Sequence, residues 1–158
     1  MNPKLPADKI RYRRPLAQIL SDLSRPIPEK FLAKRVQGGK TLTYIPWNHV
    51  TRLLDYYAPG WTGRIKQVQQ IGELVVVTYS LSIHAQEGIF TREATGQESL
   101  NNRSFADAVC TAEQQAFKRA AARFGLGLDL YNHDEDGGRN GSSATPPSAT
   151  PHQNQGRN

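Results

Sequence analysis

The sequence lacks several features that would place it in a familiar class. It has one cysteine, so no disulfide can form within the chain. It has no run of 18 apolar residues, so we expect no membrane span. The first twenty residues are basic but have no long apolar core or small-residue cleavage site, so we expect no signal peptide. These absences favour a protein of a reducing cytoplasm.

The sequence also offers few groups for catalysis or metal binding. Its four histidines are scattered, without the spacing typical of metal ligands or a catalytic triad: His49, His84, His133 and His152. Cys110 falls on or beside the packed face predicted for the last helix, so we expect it in the core. We therefore predict that the protein is not an enzyme and uses no metal and no cofactor.

A glycine-rich segment resembles part of a nucleotide-binding loop. Residues 38–41 read Gly-Gly-Lys-Thr, but Lys34 stands where such a loop needs its first glycine, and a strand pattern follows instead of a helix. Nucleotide hydrolysis is therefore rejected. The glycine pair beside Lys34, Arg35 and Lys40 could still let backbone amides and cations approach a phosphate, or it could be a plain turn.

Positive charge is concentrated near the N-terminus. Residues 1–40 hold ten Lys/Arg against three Asp/Glu, a net charge of +7, whereas the rest holds ten against eleven. Such an excess indicates a polyanionic partner such as nucleic acid, although it also serves solubility.

Two helical patterns precede the strand-rich part of the chain. Apolar residues at i, i+3, i+4 and i+7 predict a helix that begins at Pro15 and another from Pro46 to about Tyr57. Between them we predict a short basic helix over about 28–36, then a turn into a short strand.

From Thr62 the apolar period becomes two. Turns near 71–73 and 86–88 divide residues 62–97 into three strands of an antiparallel meander. The first strand alternates poorly, so we predict a bulge or an exposed position there. The apolar face of the middle strand is Val75, Val77, Tyr79, Leu81 and Ile83.

A long helix follows the meander. Ser104 is its predicted cap, with Asp107 three residues later. Its predicted buried face is Phe105, Val109, Ala112, Ala116, Phe117, Ala120 and Phe124. The fold class is therefore α+β, with a β-β-β-α core of a three-stranded meander and a long packed helix, plus N-terminal helices.

The chain is long enough for one domain with a core and too short for two ordinary ones. From about residue 135 it is poor in apolar side chains, so we predict a disordered tail. The acidic residues 134–136 beside His133 are better explained as a solvated linker than as metal ligands. We divide the chain into a basic N-terminal helical segment (1–27), a central domain (28–132) and a tail (133–158).

The long helix carries three cations beside its Phe/Ala face. Arg123 lies about 40° from Arg119 on the helical wheel, and Lys118 lies on the other side of Arg119. Many alanines make this helix thin, so it can sit close to a sheet. A wall of fixed cations suits a phosphate backbone, whereas the alternative is an ordinary solvated face.

The segments RVQGGKTLTYIPWNHVTRLLDYYAPGW and EATGQESLNNRSFADAVCTAEQQAFKRAAARFGLGLDLY, separated by a three-stranded meander, resemble the Rad52 family of single-strand annealing proteins. The resemblance covers about 28–132 and is nearest to bacterial and phage members, including DdrA-like repair proteins. It implies a β-β-β-α fold assembled into rings, and ATP-independent binding and annealing of single-stranded DNA in recombination and repair.

The resemblance also implies where DNA binds. The family's DNA-binding cations correspond to Arg35, Lys118 and Arg119, and a further family arginine falls at Ala122, one position before Arg123. Arg123 and Lys40, which stands beside the glycine pair, complete the predicted set of DNA-binding cations. We name four candidates for secondary DNA contacts: Lys34, Arg64, Lys66 and Arg103. The family's outer DNA site is in question, because the stretch before the last helix holds only Arg103.

The expected partners are single-stranded DNA and further copies of the chain in a cyclic homo-oligomer, with a single-strand binding protein as another candidate. We expect a cytoplasmic, nucleoid-associated protein. Two alternatives remain at this point. One is a DNA-end binding and protection protein without annealing activity, and the other is a small metabolic enzyme, which the missing catalytic set disfavours.

Overall fold

The structure is a computed structural model and describes residues 13–136. Ordered along the chain, its elements are α1 (Leu16–Leu23), a 3-10 turn (Glu29–Phe31), β1 (Ala33–Gln37), β2 (Lys40–Tyr44), α2 (Trp47–Tyr57), β3 (Thr62–Ile71), β4 (Leu74–Ala85), β5 (Gly88–Ser99), α3 (Phe105–Ala122) and α4 (Asp129–Asp136). The α+β class and the β-β-β-α order are confirmed. No helix among these residues is long and apolar enough to cross a membrane.

The two predicted N-terminal helices are confirmed. Each begins directly after a proline, Pro15 for α1 and Pro46 for α2, whose fixed φ suits a helix start. Ile19 and Leu23 of α1 are buried in the same core as α2 and the sheet. Arg14 joins these helices, since its guanidinium donates to the Tyr57 carbonyl at 2.7 Å and pairs with an α1 carboxylate.

The prediction of a basic helix over residues 28–36 is wrong. Only one 3-10 turn forms, and the chain then enters β1, which pairs antiparallel with β2 and sets Arg35 opposite Leu42. The two turn residues, Gly38 and Gly39, have φ of 58° and 74°. A two-residue hairpin needs positive φ at both positions, so this glycine pair favours a hairpin over a helix.

The strands β3, β4 and β5 form an antiparallel sheet in sequence order. The register between β3 and β4 shifts between Ile65 and Gln67, which confirms the predicted irregularity in the first strand. The predicted apolar face of β4 is buried as expected and points toward α3. We call this the inner face and the opposite side the outer face.

Helix α3 lies unusually close to β5. Its cap is as predicted, because the Ser104 hydroxyl accepts a hydrogen bond from the Asp107 amide at 3.1 Å. A Cβ on Gly96 would overlap the Ala112 carbonyl and lie 2.6 Å from the Ala116 nitrogen, so helix and strand backbones are nearly in contact. The buried alanines that allow this are Ala108, Ala112, Ala116, Ala120, Ala121 and Ala122.

Two predictions on α3 are wrong. Phe105 is 51% exposed, and Cys110 is exposed instead of lying in the core. The contact face passes through Ala108 and Ala112, because the close approach at Gly96 admits only small side chains. Phe105, the first residue of the helix, is therefore turned away from the sheet.

Phe117 is the largest side chain that α3 buries. Its ring stacks on Trp61, with centroids 5.8 Å apart, and contacts Tyr79 at 5.3 Å. Tyr79 in turn lies against Gly63 of β3, where a Cβ would overlap its hydroxyl. This cluster joins α3 to the middle and first strands of the sheet.

Candidate nucleic-acid interface

A groove of about 470 Å³ lies between the β1–β2 hairpin and α3. The hairpin contributes one wall and α3 the other, with further contacts from the start of α4. The residues that line it are Arg35, Leu42, Thr43, Tyr44, Ile45, Thr111, Gln114, Gln115, Lys118, Arg119, Leu130 and Tyr131. Three of the predicted DNA-binding cations, from elements far apart in the sequence, thus meet in one groove.

Tyr44 stands between two of these cations. The Arg35 guanidinium carbon lies 5.4 Å from the centre of the Tyr44 ring, and the Lys118 Nζ lies 5.5 Å from it. Strand pairing produces the first contact, since Arg35 opposes Leu42 and alternate β2 residues share a face. An aromatic face attracts both cations and holds them side by side.

The two cations repel each other while the groove is empty. Partial burial lowers the pKa of the Lys118 ammonium, and the nearby Arg35 charge lowers it further. An anion between them would offset both effects. The groove is therefore suited electrostatically to a phosphate.

Arg119 joins the groove to the sheet. Its guanidinium donates to the Thr95 carbonyl of β5 at 3.0 Å, and one turn earlier the Gln115 side chain accepts from the Gln97 amide at 3.4 Å. Both side chains also line the groove. Arg119 remains exposed, so its remaining N–H donors are accessible to a ligand.

The sequence matches the family described as "Rad52/22 family double-strand break repair protein" over residues 15–146, most of the chain. The protein belongs to the Rad52/22 family. It is 41% identical over 123 residues to the DNA repair RAD52-like protein 1, mitochondrial, of Arabidopsis thaliana, covering 77% of this chain and 70% of that protein. It is 39% identical over 140 residues to the DNA repair RAD52-like protein 2, chloroplastic, of the same plant, covering 83% and 70%.

The resemblance seen in the sequence is thus confirmed at the level of the family, and the protein is a DNA repair and recombination protein of the Rad52/22 type. The bacterial and phage branch stays a prediction, because both relatives are plant proteins named for organelles.

Two other cations predicted for the main site, Lys40 and Arg123, do not line the groove, and neither does the secondary candidate Lys34. Lys40 is exposed where the hairpin turn ends, and Lys34 lies on the face of β1 opposite Arg35. Arg123 follows the last residue of α3, where its carbonyl accepts a hydrogen bond from Arg92. The Rad52-like groove therefore has a smaller cationic set than the sequence predicted.

The remaining secondary candidates lie at the sheet. Arg64 borders a shallow depression of about 350 Å³ on the outer face, among hydroxyls and His84. Lys66 pairs with Glu93 at 2.8 Å, and this partner lowers the pKa of the Glu93 carboxyl. Arg103 lies 3.9 Å from Glu98. None of the three contributes to the groove lining.

Two residues of the groove had no role in the sequence prediction. Tyr44 lies in a segment that carries the resemblance but was given no role, because its contact with Arg35 depends on the pairing of β1 with β2, and residues 28–36 were predicted as a helix. No pattern in the sequence indicates the role of Gln115, because that role depends on which strand lies beside α3. Among the side chains of residues 13–132, no group of three or more His, Cys, Asp or Glu is placed to hold a metal.

Proposed function

We propose that this Rad52/22 protein binds single-stranded DNA in the groove between the β1–β2 hairpin and α3, and that it anneals complementary strands without ATP. The observation that carries the proposal is the meeting of Arg35, Lys118 and Arg119 beside the Tyr44 ring. These cations come from two separate elements, and a solvated helix face would not need the hairpin.

The proposed mechanism is positioning. The cations hold fixed positions on the groove walls and neutralise phosphates. The groove therefore binds strands of any sequence with similar affinity. A strand held by its backbone leaves its base edges free to meet a complement. Annealing needs this arrangement, because a protein that reads bases could not serve every pair of strands. No covalent chemistry is required of the protein, so we propose that it is not an enzyme.

We propose further that the chain forms a closed cyclic homo-oligomer, so that the grooves of neighbouring copies follow one strand. Strand β3 supports this proposal, because all ten of its residues are exposed. Within 13–136 no strand pairs with its edge on the side away from β4. Ile65 and Val68 expose apolar surface on the inner face, 47% and 40% of each residue. Such an edge favours contact with another copy. A monomer in light scattering at micromolar concentration would contradict this.

Annealing is tested with two complementary oligonucleotides that carry a donor and an acceptor dye. Mixed with the protein and no ATP, they should pair faster than alone. Lys118→Met should remove most of this acceleration, whereas Arg64→Met, which removes a cation from the outer face, should not. Tight binding without acceleration would reject annealing and favour DNA-end protection.

The domain boundaries, the cytoplasmic nucleoid location and a single-strand binding partner stay predictions. Most of the proposed tail, from residue 137 on, lies outside the described residues. Burial of Ile19 and Leu23 in the common core is a reason to keep α1 in any fragment used for experiments. A chain that ends at residue 136 should bind DNA like the full chain if residues 137–158 have no part in binding.

A further inference from the structure

Three consecutive residues of β5 are each engaged by α3. The Thr95 carbonyl accepts a hydrogen bond from Arg119 at 3.0 Å, and the Gln97 amide donates one to Gln115 Oε1 at 3.4 Å. Gly96 between them leaves no room for a Cβ against the helix backbone. Gly96 therefore sets the distance between α3 and the sheet, and the two hydrogen bonds restrict rotation of α3 about its own axis.

These hydrogen bonds lie at an edge of the sheet. Within 13–136, β5 pairs with β4 alone, so alternate backbone groups on its other side have no strand to bond with. The Thr95 carbonyl and the Gln97 amide are two of these groups. Arg119 and Gln115 fill the places that a neighbouring strand would take.

The same two side chains line the groove, and Lys118 lies between them in the sequence of α3. Rotation of α3 about its axis would swing Lys118 away from Tyr44, because all three side chains project from one short stretch of helix. The position of the groove cation thus depends on how α3 is fastened to β5.

We propose that Gln115 and Arg119 are positioning residues that fasten α3 to the edge of β5 and thereby place Lys118 in the groove. This inference rests on the proposed function, since it assigns these residues a part in DNA binding. Gln115 acts without charge, whereas Arg119 also faces the ligand. A strand bound in the groove holds α3 in its docked position, so DNA slows the opening of the Gln97 hydrogen bond.

Gln115→Met gives the cleanest test, because methionine has a similar length and no acceptor, and no charge is removed. We expect single-stranded DNA affinity to fall about three- to tenfold, the effect of removing one neutral hydrogen bond. The slope of log affinity against log salt should stay unchanged, because every cation that meets a phosphate is still present. Amide hydrogen exchange at Gln97 should become faster in the free protein.

Gln114→Met is the matched control. Gln114 also lines the groove but has no hydrogen bond to β5, so the Gln97 amide should exchange as in the parent. Arg119→Lys, which keeps a donor and the charge, should retain more of the Thr95 contact and more affinity than Arg119→Met. In the parent, saturating DNA should slow exchange at Gln97.

Three results would overturn the inference: unchanged Gln97 exchange in Gln115→Met, faster exchange with unchanged DNA affinity, or a changed salt slope, which would make Gln115 a direct DNA contact. If the parent fails to bind single-stranded DNA at all, the proposed function fails. The exchange data on the free protein would then still report whether α3 is fastened through Gln115.

Discussion

The two edges of the three-stranded sheet are treated in opposite ways. Around Gly96, strand β5 is covered by α3, whose Arg119 and Gln115 side chains bond two of the outward backbone groups of this strand. Strand β3 is exposed along its whole length and leaves Ile65 and Val68 partly uncovered. One edge is thus committed to the fold of a single chain, and the other is accessible to a second copy.

This difference is instructive because the covered edge is also the one that supports the groove. Helix α3 can hold its cations against the hairpin only if it is fixed on the sheet, and β5 fixes it. An open β3 edge would be a liability in a monomer, since unpaired strands promote association. In a proposed ring it is the surface that association uses.

The largest expected effect comes from the aromatic cluster that joins α3 to the sheet. Phe117 is buried between Trp61 and Tyr79, so Phe117→Ala should lower the free energy of unfolding by about 3–5 kcal/mol. Phe105→Ala, at an exposed position of the same helix, should change it by no more than about 0.5 kcal/mol. Urea denaturation measures both, and similar decreases would contradict the packing described.

A pair of glycine substitutions compares the edges directly. Gly96→Ala on β5 should cost about 3 kcal/mol, because its methyl would overlap the backbone of α3, which cannot move without leaving the sheet. Gly63→Ala on β3 meets the Tyr79 ring, which can tilt, so about 1 kcal/mol is expected. Thermal and urea unfolding should rank the two variants in this order; the reverse order would show that β3 is the more constrained strand.

Assembly is tested by two aspartates on the inner face. Ile65→Asp on β3 should dissociate the proposed oligomer, whereas Phe90→Asp on β5, where 37% of the residue is exposed, should not. Both positions are already partly exposed, so the fold should survive. Light scattering at micromolar concentration measures the mass in solution and so distinguishes monomers from the oligomer. If Phe90→Asp alone yields monomers, the roles of the two edges are reversed.

The smallest effect is a pH dependence. Because the pKa of Lys118 is lowered below 10.5, the unfolded chain binds more protons there, and the free energy of unfolding should rise slightly as pH rises through the window below 10.5. DNA affinity should fall in the same window as the ammonium loses its proton. Lys118→Arg keeps its charge throughout this window and should flatten the decline. Titration with oligo(dA) measures it; an equal decline in both proteins would show that Lys118 is not the titrating group.

Features set by neighbouring residues could be predicted from the sequence. Alternation identified the buried face of β4, from Val75 to Ile83, and Ser104 with Asp107 marked the start of α3. The helices that begin after Pro15 and Pro46 have equally local causes.

The wrong predictions concern contacts between distant segments. Phe105 and Cys110 are exposed because the face of α3 is selected by Gly96 on another element. Residues 33–37 become a strand because the Gly38–Gly39 turn brings β2 beside them. Likewise, resemblance named Arg35, Lys118 and Arg119, but only the fold brings Tyr44 and Gln115 beside them.

The salt dependence of single-stranded DNA binding tests the groove most directly. Lys118→Met should weaken binding to oligonucleotides of unrelated sequence alike, and it should make the slope of log affinity against log salt shallower by about 0.7 for each phosphate that is no longer neutralised. Arg64→Met removes the same charge from the outer face and should leave affinity and slope unchanged. Equal effects of the two variants, or a Lys118→Met protein that binds with the parent's affinity and slope at low salt, would contradict DNA binding in this groove.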